Sequence, residues 1–96
     1  MRKVILDGSK IESESDFHRT ISELLDFGPY YGRNLDALWD RLSTDVERPI
    51  EVIWLNSEKS RECLGECFYK IVETFEKTKQ QDIKFNCDEK FNYTLK

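Results

Sequence analysis

Apolar residues recur along this chain with two spacings, and each spacing predicts a different element. A short apolar run at residues 3–6, closed by the turn dipeptide Asp7-Gly8, predicts a buried strand. Apolar residues then recur every three or four positions, which predicts a helix that begins after Ser13 or Ser15 and ends near Leu25. The residues on its apolar face are Phe17, Ile21, Leu24 and Leu25.

Residues 28–40 form a turn that leads directly into a second helix. Gly28 and Pro29 interrupt what precedes them, and Gly32 permits a positive φ. Asn34 is a favourable N-cap for a helix that starts at Leu35. One stripe of this helix is apolar and two carboxylates share its flank, because residues four apart lie on the same face. The stripe contains Leu35, Leu38, Trp39 and Leu42, and the carboxylates belong to Asp36 and Asp40.

In the second half of the chain, a strand pattern is again followed by helical patterns. Residues 50–55 give the strongest strand pattern and are apolar enough to be covered on both faces. Asn56 or Ser57 begins a short helix that Gly65 breaks, and a longer helix follows over residues 66–80. A third strand has two candidates, which the sequence leaves open. Either residues 82–87 form it and the alternating tail 91–95 adds an antiparallel edge strand across a hairpin loop, or the tail is itself the third strand.

Strands separated by helices must be joined by crossover connections, which favour parallel pairing. The sequence therefore predicts an α/β fold, a small three-stranded parallel sheet with helices packed on it, with an extra C-terminal edge strand as the open alternative. No repeat or linker divides the chain, so residues 1–96 are expected to form one domain.

Charge and apolar run lengths narrow the classes of partner. Fifteen Lys and Arg against 19 Asp and Glu give a net charge of -4, which disfavours binding to a nucleic-acid backbone and suits a basic protein partner. The apolar run near the N-terminus is too short for a signal peptide, and no stretch has the length of a membrane span. We therefore expect a cytoplasmic protein with neither nucleic acid nor membrane as partner.

The titratable residues offer little for catalysis or metal binding. Three cysteines, an odd number, predict free, buried and inert thiols; Cys63 and Cys67 would share a helix face, but no CxxC pair supports a metal site. The single histidine, His18, is expected to be a partly buried packing or hydrogen-bonding residue. With no phosphate loop, HExxH pattern or GxSxG elbow, neither an enzyme nor a cofactor is predicted. Asp36 and Asp40 could in principle act as a general acid and a general base. Nothing around them indicates an apolar pocket that would keep one carboxyl group protonated, so both are expected to stay ionised.

The run Tyr-Tyr-Gly-Arg-Asn-Leu-Asp-Ala-Leu-Trp-Asp at residues 30–40 resembles the signature of the barstar family, intracellular inhibitors of secreted ribonucleases of the barnase type. Arg33 is the only residue that departs from the pattern. Weaker similarity in the same order covers roughly residues 1–87. The resemblance implies the same α/β fold and an inhibitory helix that enters a basic active site.

The resemblance also implies a role for each residue of the motif. Asp40 would enter the phosphate site of the ribonuclease as a phosphate mimic, and Asp36 would pair with cations at its rim. Tyr30 would cover the catalytic histidine, while Trp39 would brace the helix from its other side. The backbone from Gly32 through Asn34 to Leu35 would line the contact.

Two departures concern the rim of this surface. The family's inhibitor carries a tryptophan where this chain has Asp45, and its acidic contact on the last helix aligns with Lys77, whereas Glu76 points about 100° away. The expected partner is therefore a basic secreted ribonuclease or related nuclease toxin with a different rim. The alternative is a barstar-like binding module whose partner is not a nuclease.

Overall fold

The computed structural model describes residues 2–96 and has three parallel strands in the order β1-β2-β3. The central strand pairs on both sides, so that Val52 lies opposite Val4 on one neighbour and opposite Tyr93 on the other. The strands are β1 (Arg2–Asp7), β2 (Ile50–Leu55) and β3 (Phe91–Leu95). The predicted α/β fold with a three-stranded parallel sheet is confirmed.

Four helices connect the strands, and their ends follow local sequence signals. Ser13 caps the first helix by accepting a hydrogen bond from the Asp16 N–H. Gly65, with φ of 60°, separates the last two helices, as its position predicted. The helices are α1 (Glu14–Leu25), α2 (Leu35–Thr44), α3 (Ser57–Leu64) and α4 (Glu66–Lys84).

The helices cover one face of the sheet. Alternate residues of β2, such as Val52 and Trp54, are buried, whereas Ile53 between them is only partly covered and Ile5 beside it on β1 is 47% exposed. The expectation that residues 50–55 are covered on both faces is therefore wrong. The long apolar run comes from the central position of β2, which has a strand on each side. It does not indicate a second layer of helices.

Trp54 lies at the centre of the core. Its indole stacks on Phe17 with ring centroids 5.4 Å apart and contacts Phe68 at 5.0 Å. The indole N–H donates to Ser60 Oγ over 3.0 Å, and this hydroxyl in turn donates to the Gly8 carbonyl, so the one polar atom of the ring is satisfied.

The third strand is the tail, and residues 82–87 do not form a strand. Helix α4 continues to Lys84, past the predicted end at residue 80. Its buried stripe keeps helical spacing to the last turn, but its final two members are polar, which hides the periodicity in the sequence. The buried residues are Phe68, Ile71, Phe75, Thr78 and Asp82. The alternative with an added antiparallel strand and a hairpin at residues 88–90 is wrong, since β3 pairs parallel with β2.

The cysteines differ from the sequence expectation in two respects. Cys63 is exposed, and it lies on α3 while Cys67 lies on α4, so Gly65 removes them from a common helix face. All three thiols are free, and burial raises the pKa of Cys67 to about 11. Within residues 2–96 no three metal-ligating side chains come together, and no helix has the length and apolar character of a membrane span.

Candidate protein-binding face

The turn before α2 takes its shape from Gly28 and Arg33. Gly28 has φ of 79° and Arg33 has φ of 54°, so both adopt the left-handed region. Gly32, whose residue type permits a positive φ, does not adopt one. Glycine leaves room for α2 at this position, because a Cβ at Gly32 would make a tight contact, 3.1 Å, with the Cβ of Ala37.

The two adjacent tyrosines of the turn have opposite environments. Tyr31 is buried, and its hydroxyl lies 2.7 Å from Nδ1 of His18, which is 1% exposed. The other ring nitrogen of His18 lies 3.1 Å from a Glu14 carboxylate oxygen, and burial raises the pKa of Tyr31. Tyr30 is 90% exposed. The prediction that His18 packs or forms hydrogen bonds is thus confirmed, although the side chain is fully and not partly buried. Tyr31 anchors the turn, while Tyr30 is left at the surface.

Helix α2 is fixed at both ends. At its start, Asn34 accepts a hydrogen bond from the Ala37 N–H over 2.8 Å, which confirms the predicted cap. Near its end, Arg41 donates to the Phe27 carbonyl over 3.0 Å and pairs with Asp45 at 3.2 Å. These contacts hold the helix and the preceding turn as one rigid unit.

The two predicted carboxylates are presented to solvent on this rigid helix. Leu38 and Leu42 are fully buried, whereas Asp36 and Asp40 are exposed on the flank of the same helix. No side chain within residues 2–96 forms an ion pair or hydrogen bond with either carboxylate. Both groups are therefore available to an external partner.

Trp39 is only half-buried, although the sequence placed it on the apolar stripe of the helix. The Nζ of Lys77, on α4, lies 4.2 Å from the centroid of its ring, in a cation–π contact. Trp39 therefore sits at the junction of α2 and α4 with one edge at the surface.

A groove of about 320 Å³ runs between α2 and α4, and Asp36 is one of its lining residues. We call it the α2–α4 groove. One wall is formed by Leu35, Asp36 and Trp39, and the other by Lys70, Glu73, Thr74 and Lys77.

The seven predicted site residues lie in the turn and in residues 35–40 of α2, and we call this set of residues the acidic face. Tyr30, Asp36 and Asp40 are exposed there, Gly32 and Asn34 are exposed in the turn, and Leu35 and Trp39 are half-buried. Apart from Lys77, which the sequence placed at the rim, the α4 wall of the groove was not predicted. Its residues recur at i, i+3, i+4 and i+7, a spacing that marks one helix face, but nothing in the sequence shows which helix lies opposite.

The three rim residues, Asp45, Glu76 and Lys77, have different surroundings. Lys77 faces α2, whereas Glu76 turns toward β3 and accepts a hydrogen bond from the Tyr93 hydroxyl over 2.7 Å. The hydrogen bond that Glu76 accepts from Gln80 lowers the pKa of Glu76, and the bond from Tyr93 lowers it further to a smaller extent. Asp45 is exposed at the end of α2 and pairs with Arg41.

Comparison with known proteins gives a match over nearly the whole chain. The family model described as "Barstar (barnase inhibitor)" matches residues 1–93. The chain is also 38% identical over 81 residues to the protein named "Putative ribonuclease inhibitor YrdF" from Bacillus subtilis (strain 168), and the alignment covers 84% of this chain and 89% of that protein. The family match includes β1, β2, all four helices, the acidic face and the first three residues of β3, and this chain therefore belongs to the barstar family.

Proposed function

We propose that this protein is an intracellular inhibitor of a barnase-type ribonuclease and that α2 blocks the active site of its target. The observation that carries the proposal is the pair of exposed, unpartnered carboxylates on a helix held rigid at both ends. Family membership and the name of the B. subtilis relative support the same function.

The chemistry of the pair suits a ribonuclease active site. Such a site binds the scissile phosphate with cationic side chains, and a carboxylate placed there accepts charge-assisted hydrogen bonds in the phosphate's stead. We assign this phosphate-mimic role to Asp40 and the pairing with cations at the rim to Asp36. Because α2 is already ordered, little conformational entropy is lost when it binds.

The rest of the acidic face would complete the contact. Tyr30 projects from the turn with 90% of its surface exposed, which suits a cover over the catalytic histidine of the target. The backbone from Gly32 to Leu35 and the exposed edge of Trp39 would line the interface. The partner would be a basic, secreted ribonuclease or related nuclease toxin, and a cytoplasmic inhibitor would give the producing cell immunity to it.

Asp40→Ala tests the phosphate-mimic role directly. Loss of one member of a buried interfacial charge pair costs about 2–5 kcal/mol, so we expect inhibition to weaken by about 30-fold or more. The fold should be unaffected, because Asp40 is exposed, its carboxylate forms no hydrogen bond or ion pair within residues 2–96, and its removal relieves a like-charge neighbour. The immobilised wild-type protein would first capture the ribonuclease from the secreted proteins of the source organism. That ribonuclease would then be titrated with each variant while RNA cleavage is followed.

Asp40→Asn and Glu89→Ala are the matched variants. Asp40→Asn keeps the shape of the side chain and removes its charge, so it should lose most of the inhibition as well, whereas the surface variant Glu89→Ala should inhibit like the wild type. Full inhibition by a folded Asp40→Ala protein would refute the phosphate-mimic mechanism. Recovery of a partner that does not cleave RNA would instead favour a binding module on the barstar scaffold.

A further inference from the structure

We propose that the α2–α4 groove is a specificity pocket and that it receives a carboxylate side chain of the target ribonuclease at Lys77. The inference rests on the proposed function and extends it from the blocking of the active site to the choice of partner.

The position of the Lys77 ammonium is the first observation. Glu73 lies four residues before Lys77 on α4, an arrangement in which the two side chains commonly pair. No such ion pair forms; the Lys77 ammonium lies instead over the ring of Trp39, 4.2 Å from its centroid. The positive charge is thereby held at the edge of α2, next to the surface that carries Asp36 and Asp40.

The second observation is that the cations of the groove have no anionic partner. Neither Lys70 nor Lys77 has a carboxylate oxygen within 4.0 Å in the part of the chain that the structure describes. An interface that covered these ammonium groups would have to supply an acceptor, since a desolvated, unpaired charge is costly. A carboxylate on the partner meets that requirement.

The composition of the groove also limits the class of ligand. Lys70 and Lys77 are balanced by Asp36 and Glu73, so the groove as a whole has no net charge. A nucleic-acid backbone or a free phosphate would gain little there, because polyanions need an excess of cations. A volume of about 320 Å³ accommodates one protruding side chain with some of its hydration water, since a water molecule takes about 30 Å³.

The groove and the acidic face are continuous. Leu35, Asp36 and Trp39 belong to both, so a protein that contacts these residues of the acidic face reaches one wall of the groove. The geometry therefore points to a target with two features in register, a basic cleft opposite Asp40 and an acidic side chain beside that cleft opposite Lys77. Such alternation of charge would exclude ribonucleases whose rim is basic at this place, because like charges across an interface are repulsive.

Charge substitutions at Lys77 test the inference with the recovered and purified ribonuclease as probe. We expect Lys77→Glu to weaken inhibition at least 10-fold and Lys77→Met, which keeps the aliphatic stem, to weaken it less. Lys59→Glu on α3 is the matched control, because Lys59 is exposed, lies outside the groove and changes the net charge by the same amount. It should alter inhibition less than two-fold, and thermal melting of each variant would check that it is folded.

The order of the variants decides the question. Stronger inhibition by Lys77→Glu would mean that a basic residue lies opposite and would overturn the inference. Equal effects of Lys77→Glu and Lys77→Met, or no effect of either, would mean that no carboxylate is bound there. Support would be completed by an Asp or Glu to Lys substitution in the ribonuclease that restores inhibition by Lys77→Glu.

Asp40→Ala, assayed beside these variants, separates this inference from the proposed function. Loss of inhibition with Asp40→Ala and none with Lys77→Glu would leave the inhibitor function standing and remove the specificity pocket. Loss with Lys77→Glu and none with Asp40→Ala would keep the groove contact and remove the phosphate mimic.

Discussion

At the scale of single residues, the sequence predicted local interactions, but it did not predict contacts between segments that are distant along the chain. Asn34 could be predicted as a cap because its bond to Ala37 N–H spans three residues. The contact of Trp39 with Lys77 joins residues 38 positions apart, and the close approach of Gly32 to Ala37 depends on how the turn folds back on α2. The packing role of Gly32 was therefore not predicted, even though the turn itself was.

Arg33 provides a prediction about stability. It is the one departure from the family signature and has φ of 54°, a conformation that costs an ordinary L residue about 1 kcal/mol or more. Asparagine tolerates this region better, so Arg33→Asn should raise the free energy of unfolding by several tenths of a kcal/mol, measured by urea denaturation. Arg33→Ala is the control, since it removes the charge and keeps the Cβ; an equal gain from it would assign the effect to charge.

At the scale of elements, the sequence predicted elements whose buried faces are apolar and failed where they are polar. α1, α2 and β2 were predicted close to their observed bounds for this reason. The last turn of α4 was missed because Thr78 and Asp82 occupy its buried stripe. Asp82 is buried there through tertiary bonds, accepting from Arg48 Nε over 3.0 Å and from the Phe91 N–H over 2.8 Å.

Asp82 should therefore be a major determinant of stability at the junction of α4, the α2–β2 connection and β3. Asp82→Ala would leave the largely buried Arg48 guanidinium without its carboxylate partner and the Phe91 N–H without its acceptor, and breaking a buried pair in this way costs about 3–5 kcal/mol. Asp82→Asn should cost less, because an amide oxygen can still accept from Phe91. Chemical denaturation of both variants would measure the difference.

The exposed ion pair of Glu58 with Arg61 is the matched control for that experiment. Its side chains are 77% and 45% exposed, so Glu58→Ala should change stability by less than about 1 kcal/mol. A cost for Asp82→Ala no larger than that of Glu58→Ala would show that the buried pair contributes little to holding β3 in place.

At the scale of the whole molecule, the net charge and the position of individual charges can have different effects on binding. The net charge of -4 gives the protein a weak overall attraction to any basic partner, and Asp36 and Asp40 add two exposed carboxylates, one helical turn apart on α2, that have no partner within residues 2–96. Composition allowed the first statement. The second required the fold, because only the packed structure shows which acidic groups lack intramolecular partners, as Glu76 illustrates by its bond to Tyr93.

This distribution predicts how salt affects the rate of association with the ribonuclease. Charged surfaces steer an encounter over roughly 8–10 Å at physiological ionic strength, so the association rate should fall as salt is added. Asp36→Asn and Glu89→Gln both change the net charge by one. If the acidic face does the steering, Asp36→Asn should lower the rate at low salt and flatten its salt dependence, while Glu89→Gln should follow the wild type. Stopped-flow measurement over a range of ionic strength would distinguish the two, and equal slopes for both variants would show that net charge, and not the acidic face, governs the approach.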